Sequence, residues 1–286
     1  MSNKDLHSSK EKLERTQNIA NEKNVNNKII DTEEESKIVD KNKIILIIVY
    51  IVSAIIIAFS FIYCVNIYKQ DDDIQELTKN VQNCITENES ESKTTRDGQS
   101  EFFVDFDKLK TINSDTVGWL RIDGLEINMP IVKTDDNNYY MKHSFDKSNN
   151  LSGWAFVDCR NKLDGSDKNV VIYGHNRRDD IIFSSLVNVL NPDWYNNEDN
   201  RHIIFIDQSG QIENYEIFSV YQIEAEDYYI NTNFSSNDGF RNFLKTLEKR
   251  SIKNYNLDLN GESPILTLST CGKNSKYRVV VHAVRN

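Results

Sequence analysis

The sequence predicts a mostly β domain with peripheral helices, its sheet closed into a barrel of about eight strands, preceded by one N-terminal transmembrane helix. Three observations predict it. Residues 44–65 form an uncharged apolar run in which only Ser53 and Ser60 are strongly polar. Eight short runs rich in β-branched and aromatic residues follow between 117 and 284, separated by Asn, Asp and Gly turns, the pattern of a closed or nearly closed sheet. Helical intervals interrupt them near 182–190 and 238–250.

The apolar run covers roughly 33 Å as a helix at about 1.5 Å per residue, enough to cross a bilayer's hydrocarbon core. A buried helix of a soluble protein rarely stays apolar on every face. A cleaved signal peptide is a poor fit, because 43 residues precede the run and no small-x-small site follows it. Tyr63 before Cys64 also blocks a lipoprotein site. The flanks carry Lys37, Lys41 and Lys43 on one side, and Lys69 and Lys79 beside Asp71, Asp72 and Asp73 on the other. That basic bias favours a cytoplasmic N-terminus and an extracellular C-terminal domain.

Four segments follow from this reading: a disordered cytoplasmic tail at 1–43, an anchor at 44–68, a juxtamembrane helix and linker at 69–100, and an extracellular domain at 101–286. In the third, Ile74, Leu77, Val81 and Ile85 recur at helical spacing. If all of 69–100 were flexible coil, it would hold the domain roughly 30 Å from the anchor. The domain opens with a helical stripe of Phe102, Phe103, Phe106 and Leu109. Strand runs then come at 117–122, 127–132, 154–157, 170–173, 202–206, 216–223, 264–270 and 278–284. In the helical interval 238–250, Phe240, Phe243, Leu244 and Leu247 form one face.

Composition narrows the function. With 286 residues, 38% hydrophobic and 27% charged, the chain can bury a sizeable core. Three Pro, ten Gly and 10% aromatics exclude collagen-like and wholly disordered material. The tail's charges balance, so the net −10 sits beyond residue 43 and argues against a nucleic-acid partner. The cysteines at 64, 84, 159 and 271 form no CxxC pair, and His and acidic residues show no zinc spacing. No metal and no cofactor are expected.

Chemistry concentrates near the C-terminus. The segment from Pro264 to Cys271 is an apolar strand delivering a Cys at its end, and a short turn leads to Arg278 at the start of a returning strand. If the two strands pair, sulfur and guanidinium lie side by side. Upstream, Val-Val-Ile-Tyr-Gly-His175 puts a His at another strand end. A thiol with a free pKa of about 8.5 needs a proton partner at neutral pH. His can take that proton and return it to a leaving amine. Attack on an amide creates an oxyanion, which a fixed guanidinium can stabilise. Taken singly, each has a bland reading: a buried small hydrophobe, a turn residue, a solvated cation. His282 shares strand parity with Arg278 and reads as a structural side chain. Cys159 reads as a buried hydrophobe, and Asp179 and Asp180 as solvated surface.

As a set, Thr267-Leu-Ser-Thr-Cys271, Arg278 and Tyr-Gly-His175 resemble the active-site signature of sortases, the membrane-anchored cysteine transpeptidases of Gram-positive bacteria. The resemblance covers roughly 102–286. Helical segments at 102–112 and 238–250 and Trp-Ala-Phe at 154–156 are similar to class B. It implies a sortase-type barrel with Cys271 as nucleophile attacking a Thr–X bond in a sorting signal, His175 as general acid and base, and Arg278 orienting substrate and stabilising the oxyanion. It implies further that Ser269, Tyr229, Ile230 and Asn128 contact the peptide. The partners implied are surface proteins bearing a sorting signal of Asn-Pro-x-Thr type or a variant, and a cell-wall precursor or other amine acceptor. A pilin-polymerising enzyme with a Lys acceptor, a cell-wall cysteine hydrolase and a catalytically silent binding domain are the competing readings.

Overall fold

The structure, a computed structural model, describes residues 3–87, 102–122, 124–176, 182–271 and 276–286. It forms two compact units, residues 1–67 and 68–286. Helix α1 (Asn3–Gln82) contributes to both. Residues 3–43, expected to be disordered, are helical in it. No Gly or Pro occurs anywhere in α1, so no residue breaks its hydrogen-bond ladder. Its stretch Asp40–Gln82 is long and apolar enough to cross a membrane.

In the second unit, the end of α1 behaves as the stripe predicts: Ile74 and Val81 are fully buried, and Leu77 packs against the same core. Gln82 Nε2 donates to the Asn128 carbonyl at 2.7 Å. Strand β1 (Ile85–Glu87) then pairs with β2 (Phe102–Val104). The expected juxtamembrane helix is therefore docked onto the domain, and the chain stays with it to residue 87, while 88–101 lies outside the described residues. Phe102 and Phe103 belong to β2 rather than to a helical stripe. Helix α2 (Phe106–Ile112) starts after them because the Asp105 carboxylate caps it, accepting from Lys108 N at 2.9 Å.

Eight strands close the barrel: β3 (Thr116–Ile122), β4 (Ile127–Val132), β5 (Phe156–Val157), β6 (Asn169–Gly174), β7 (His202–Asp207), β8 (Ile212–Glu224), β9 (Ile265–Cys271) and β10 (Tyr277–Arg285). Their order around it is β10-β8-β7-β3-β4-β5-β6-β9. Pairs β4–β5 and β6–β9 are parallel and the other pairs antiparallel. Trp119, Leu120, Ile131, Trp154, Val157 and Leu268 fill one core. A helical 3-10 turn (Ser184–Leu190) and the short α3 (Pro192–Tyr195) precede β7. Helix α4 (Asn237–Arg250), capped by Ser236, buries Phe240, Leu244 and Leu247 in a second cluster with Phe218 and Val280. At about 1.5–3 kcal/mol per buried large apolar side chain, that face holds the 225–264 connection on the barrel.

Candidate active site

Three neighbouring strands end at one rim. In the antiparallel β9–β10 ladder, Arg278 is the direct partner of Cys271. In the parallel β6–β9 ladder, Gly174 is the partner of Thr270. His175 is the next residue after Gly174, as Cys271 is after Thr270, so the two continue side by side off adjacent strands. The Cys271 side chain lies outside the described part of the structure, and its place follows from its backbone. Asp179 and Asp180 also lie outside the described residues.

Just before His175, Gly174 leaves room for the buried Phe183 ring, from which a Cβ there would lie 2.5 Å. His175 Nε2 lies 3.0 Å from the Met141 carbonyl. A carbonyl only accepts, so Nε2 is the protonated nitrogen in that contact. Arg278 is half-buried, and its guanidinium donates to the Tyr277 carbonyl at 3.1 Å.

A groove of about 540 Å³ lies at this rim, lined by Tyr173, His175, Tyr229, Ile230, Ser269 and Arg278 among others. Ser269 and Cys271 share strand parity, and the Ser269 hydroxyl lies 3.0 Å from the Tyr229 hydroxyl. The groove thus brings together Ser269, Tyr229 and Ile230. It does not bring in Asn128. That residue sits in β4 with its side chain accepting from the Trp119 indole at 2.7 Å and its carbonyl taken by Gln82, so its polar atoms serve the packing of β3 and α1.

The Sortase domain family profile matches residues 120–286. The chain belongs to the sortase family. Sortase B of Listeria monocytogenes is 37% identical over 171 residues, 59% of this chain and 68% of that protein. The crystal structure of Clostridium perfringens sortase B matches with a TM-score of 0.60 at 36% identity, covering 64% of this chain and all of that one. Bacillus anthracis sortase B, solved in complex with AAEK1, matches with a TM-score of 0.65 at 26% identity, covering 77% of this chain and 99% of that one. This is a class B sortase, a cysteine transpeptidase on the barrel of its class.

Two polar networks behind the sortase groove are absent from the motif reading. Asp158 is fully buried, yet it accepts from the Arg160 guanidinium at 2.6 and 2.8 Å and from the Tyr173 hydroxyl at 2.7 Å. Burial pushes its carboxyl up, but the bonds from Arg160 and Tyr173 outweigh this and hold it below the ordinary carboxylate range. Arg160 also donates to the Ile230 carbonyl at 3.0 Å, tying the groove wall to β5. The sequence signal was the Asp158–Arg160 pair two residues apart at the end of a strand run.

The second network surrounds His282, which is structural as expected. Thr267 Oγ1 donates to Asn169 Oδ1 at 2.6 Å, so it accepts from His282 Nδ1 at 2.8 Å. The ring's Nε2 therefore accepts from the Tyr221 hydroxyl at 2.9 Å. Asn169 in turn donates to the Asn231 carbonyl at 2.9 Å. The first Thr of the Thr-Leu-Ser-Thr-Cys run thus joins β6, β8, β9 and β10. Cys159 is half-buried rather than enclosed, its amide donating to Asn137 Oδ1 at 2.8 Å because the chain has already left β5. Cys84 is buried, which raises its thiol pKa.

Proposed function

We propose that this sortase cleaves the bond after Thr in a surface-protein sorting signal, of Asn-Pro-x-Thr type or a close variant, and transfers the acyl group to an amine of the cell-wall precursor. The Cys271 thiolate attacks the Thr carbonyl. The C–N bond then breaks as His175 protonates the leaving amine, and a thioester remains. His175 next takes a proton from the acceptor amine, which attacks the thioester and releases the thiolate. Arg278 orients the peptide and stabilises the oxyanion formed at each attack. Ser269, Tyr229 and Ile230 line the peptide's path, and a largely dry groove favours the amine over water.

The single observation supporting this is the register: Cys271 opposite Arg278, with His175 one residue beyond the Gly174–Thr270 pair. On this reading α1 anchors the enzyme as one pass, N-terminus cytoplasmic and barrel outside, in line with the lysines before residue 44. The test incubates the full chain in detergent, beside Cys271→Ala and His175→Ala, with x-Pro-x-Thr-x peptides and candidate amines, read by mass spectrometry. A Cys271 thioester and amine-dependent ligation are expected. Full activity in either variant overturns the assignment.

A further inference from the structure

We infer that Asn150 is a positioning residue for the proton-transfer step, acting on His175 through the carbonyl of Met141, with the docked end of α1 as its support. The inference rests on the reading of His175 as the acid and base. With Nε2 engaged by the Met141 carbonyl at 3.0 Å, proton exchange with a thiol falls to Nδ1, and the ring's rotation is set by where that carbonyl stands.

Met141 closes a 3-10 turn of three residues, Tyr139–Met141, too short to hold its own position. Its support comes from elsewhere. The Asn150 amide donates to the Lys142 carbonyl at 2.8 Å, next to Met141, and the Trp154 amide donates to the Tyr140 carbonyl at 2.9 Å. Asn150 itself is 4% exposed. Its side-chain amide has both ends committed: Nδ2 donates to the Gln70 carbonyl at 3.0 Å, and Oδ1 accepts from Ser152 N at 2.8 Å. Gln70 lies four residues before the fully buried Ile74, so the helix that receives this bond is fixed to the core.

Asn150 also reaches the other side of the imidazole. Its carbonyl accepts from Gly153 N at 3.1 Å, and a Cβ on Gly153 would come within 3.0 Å of His175 Cδ2. The Asn150 side chain therefore ties to α1 the residue whose own backbone holds Lys142, next to Met141, on one flank of the ring and Gly153 on the other. Only a side chain with one donor and one acceptor end makes both bonds. An Asp would keep the bond from Ser152 N and set a carboxylate oxygen against the Gln70 carbonyl.

The test is Asn150→Asp in the full-length chain in detergent. Two readouts across pH are followed: steady-state ligation of a peptide the wild type accepts, and the rate of Cys271 alkylation by iodoacetamide. Loss of the brace misaligns the ring, so kcat is expected to fall about tenfold with KM within about twofold. A carbonyl acceptor favours the protonated ring, so weakening it should move the basic limb of the ligation profile, on which the imidazolium acid is lost, to lower pH. An unchanged kcat overturns the inference. So does a loss explained wholly by a smaller active-site titre with superposable pH profiles, which is what a merely structural role gives. If Asn150→Asp does not fold, Asn150→Ala, which removes both side-chain bonds without adding charge, is read by the same criteria. Wild-type kcat in His175→Ala would instead sink the acid–base reading itself, a separate outcome.

Discussion

Arg278 stands directly opposite Cys271 in the β9–β10 ladder. Directly opposed residues point to the same face with Cβ atoms about 4.5–5.5 Å apart. The relationship between thiol and guanidinium is therefore set by strand pairing, and the connection between the two strands need not take any special shape to produce it. Six residues separate the pair in sequence, yet the ladder continues for six further pairs to Val284 opposite Ile265, which fixes the register against slippage.

Arg278→Lys keeps a positive charge at that position and removes the planar donor fork. If the guanidinium stabilises an oxyanion, kcat for peptide cleavage should fall about 100-fold, with the thermal midpoint nearly unchanged because the side chain is only half-buried. Steady-state kinetics with a fluorogenic peptide would check this. A loss below about threefold would leave Arg278 without a role in the chemical step.

Gly153 has φ +62°, and a Cβ there would collide with the Tyr140 carbonyl oxygen and approach His175 Cδ2 to 3.0 Å. Gly153→Ala should therefore cost about 1–3 kcal/mol in denaturant unfolding. It should lower kcat more than it raises KM, because the added methyl presses on the imidazole rather than on the peptide-binding wall. Equal effects on both constants would argue against that.

Much of the fold was legible because it depends on local pattern. All eight barrel strands fall on predicted runs, and the α4 face Phe240, Leu244 and Leu247 is buried as its spacing required. The failures share a cause: partners distant in sequence. Phe102 reads as helical until Asp105 caps α2 behind it and β1 offers an edge. The helical stripe at 74–85 was legible, but not what covers it, because the barrel surface that buries Ile74 and Val81 is invisible to a local window. The proximity of Cys271, Arg278 and His175 was readable since each sits at a strand end, where neighbouring strands bring residues together. Asn128 likewise has partners that a local window does not show: Trp119 and Gln82 come from other elements and take its side-chain oxygen and its carbonyl. The buried Asp158–Arg160–Tyr173 network leaves no periodic signal.

Arg160 holds both Asp158 and the Ile230 carbonyl. Arg160→Met keeps most of the packing and removes the charge and every donor. Its side chain is 45% exposed, so the stability cost should stay near 1–3 kcal/mol. The Asp158 carboxyl, held low in the wild type, would rise, so acid unfolding should begin at higher pH. The loosened Ile230 wall should raise KM for peptide severalfold with little change in kcat. Peptide kinetics and an acid titration followed by circular dichroism would check both, and an unmoved KM would separate the network from substrate binding.

His282 supplies the last prediction. Its ring is fully buried, and burial lowers its pKa from 6.5 to about 3. Between those values the unfolded chain binds a proton that the native state refuses, so stability rises with pH in that window. The contribution is complete above about 6.5 and is lost as pH falls toward about 3. His282→Gln should be less stable than wild type at neutral pH by about 1–3 kcal/mol, because Tyr221 and Thr267 lose well-placed partners. It should nevertheless lose less stability than wild type between about pH 7 and about pH 4, since no imidazole remains there to protonate on unfolding. Urea unfolding at a series of pH values measures both quantities. Parallel slopes for the two proteins would mean that the acid sensitivity of this barrel comes from its carboxylates and that His282 contributes only its hydrogen bonds.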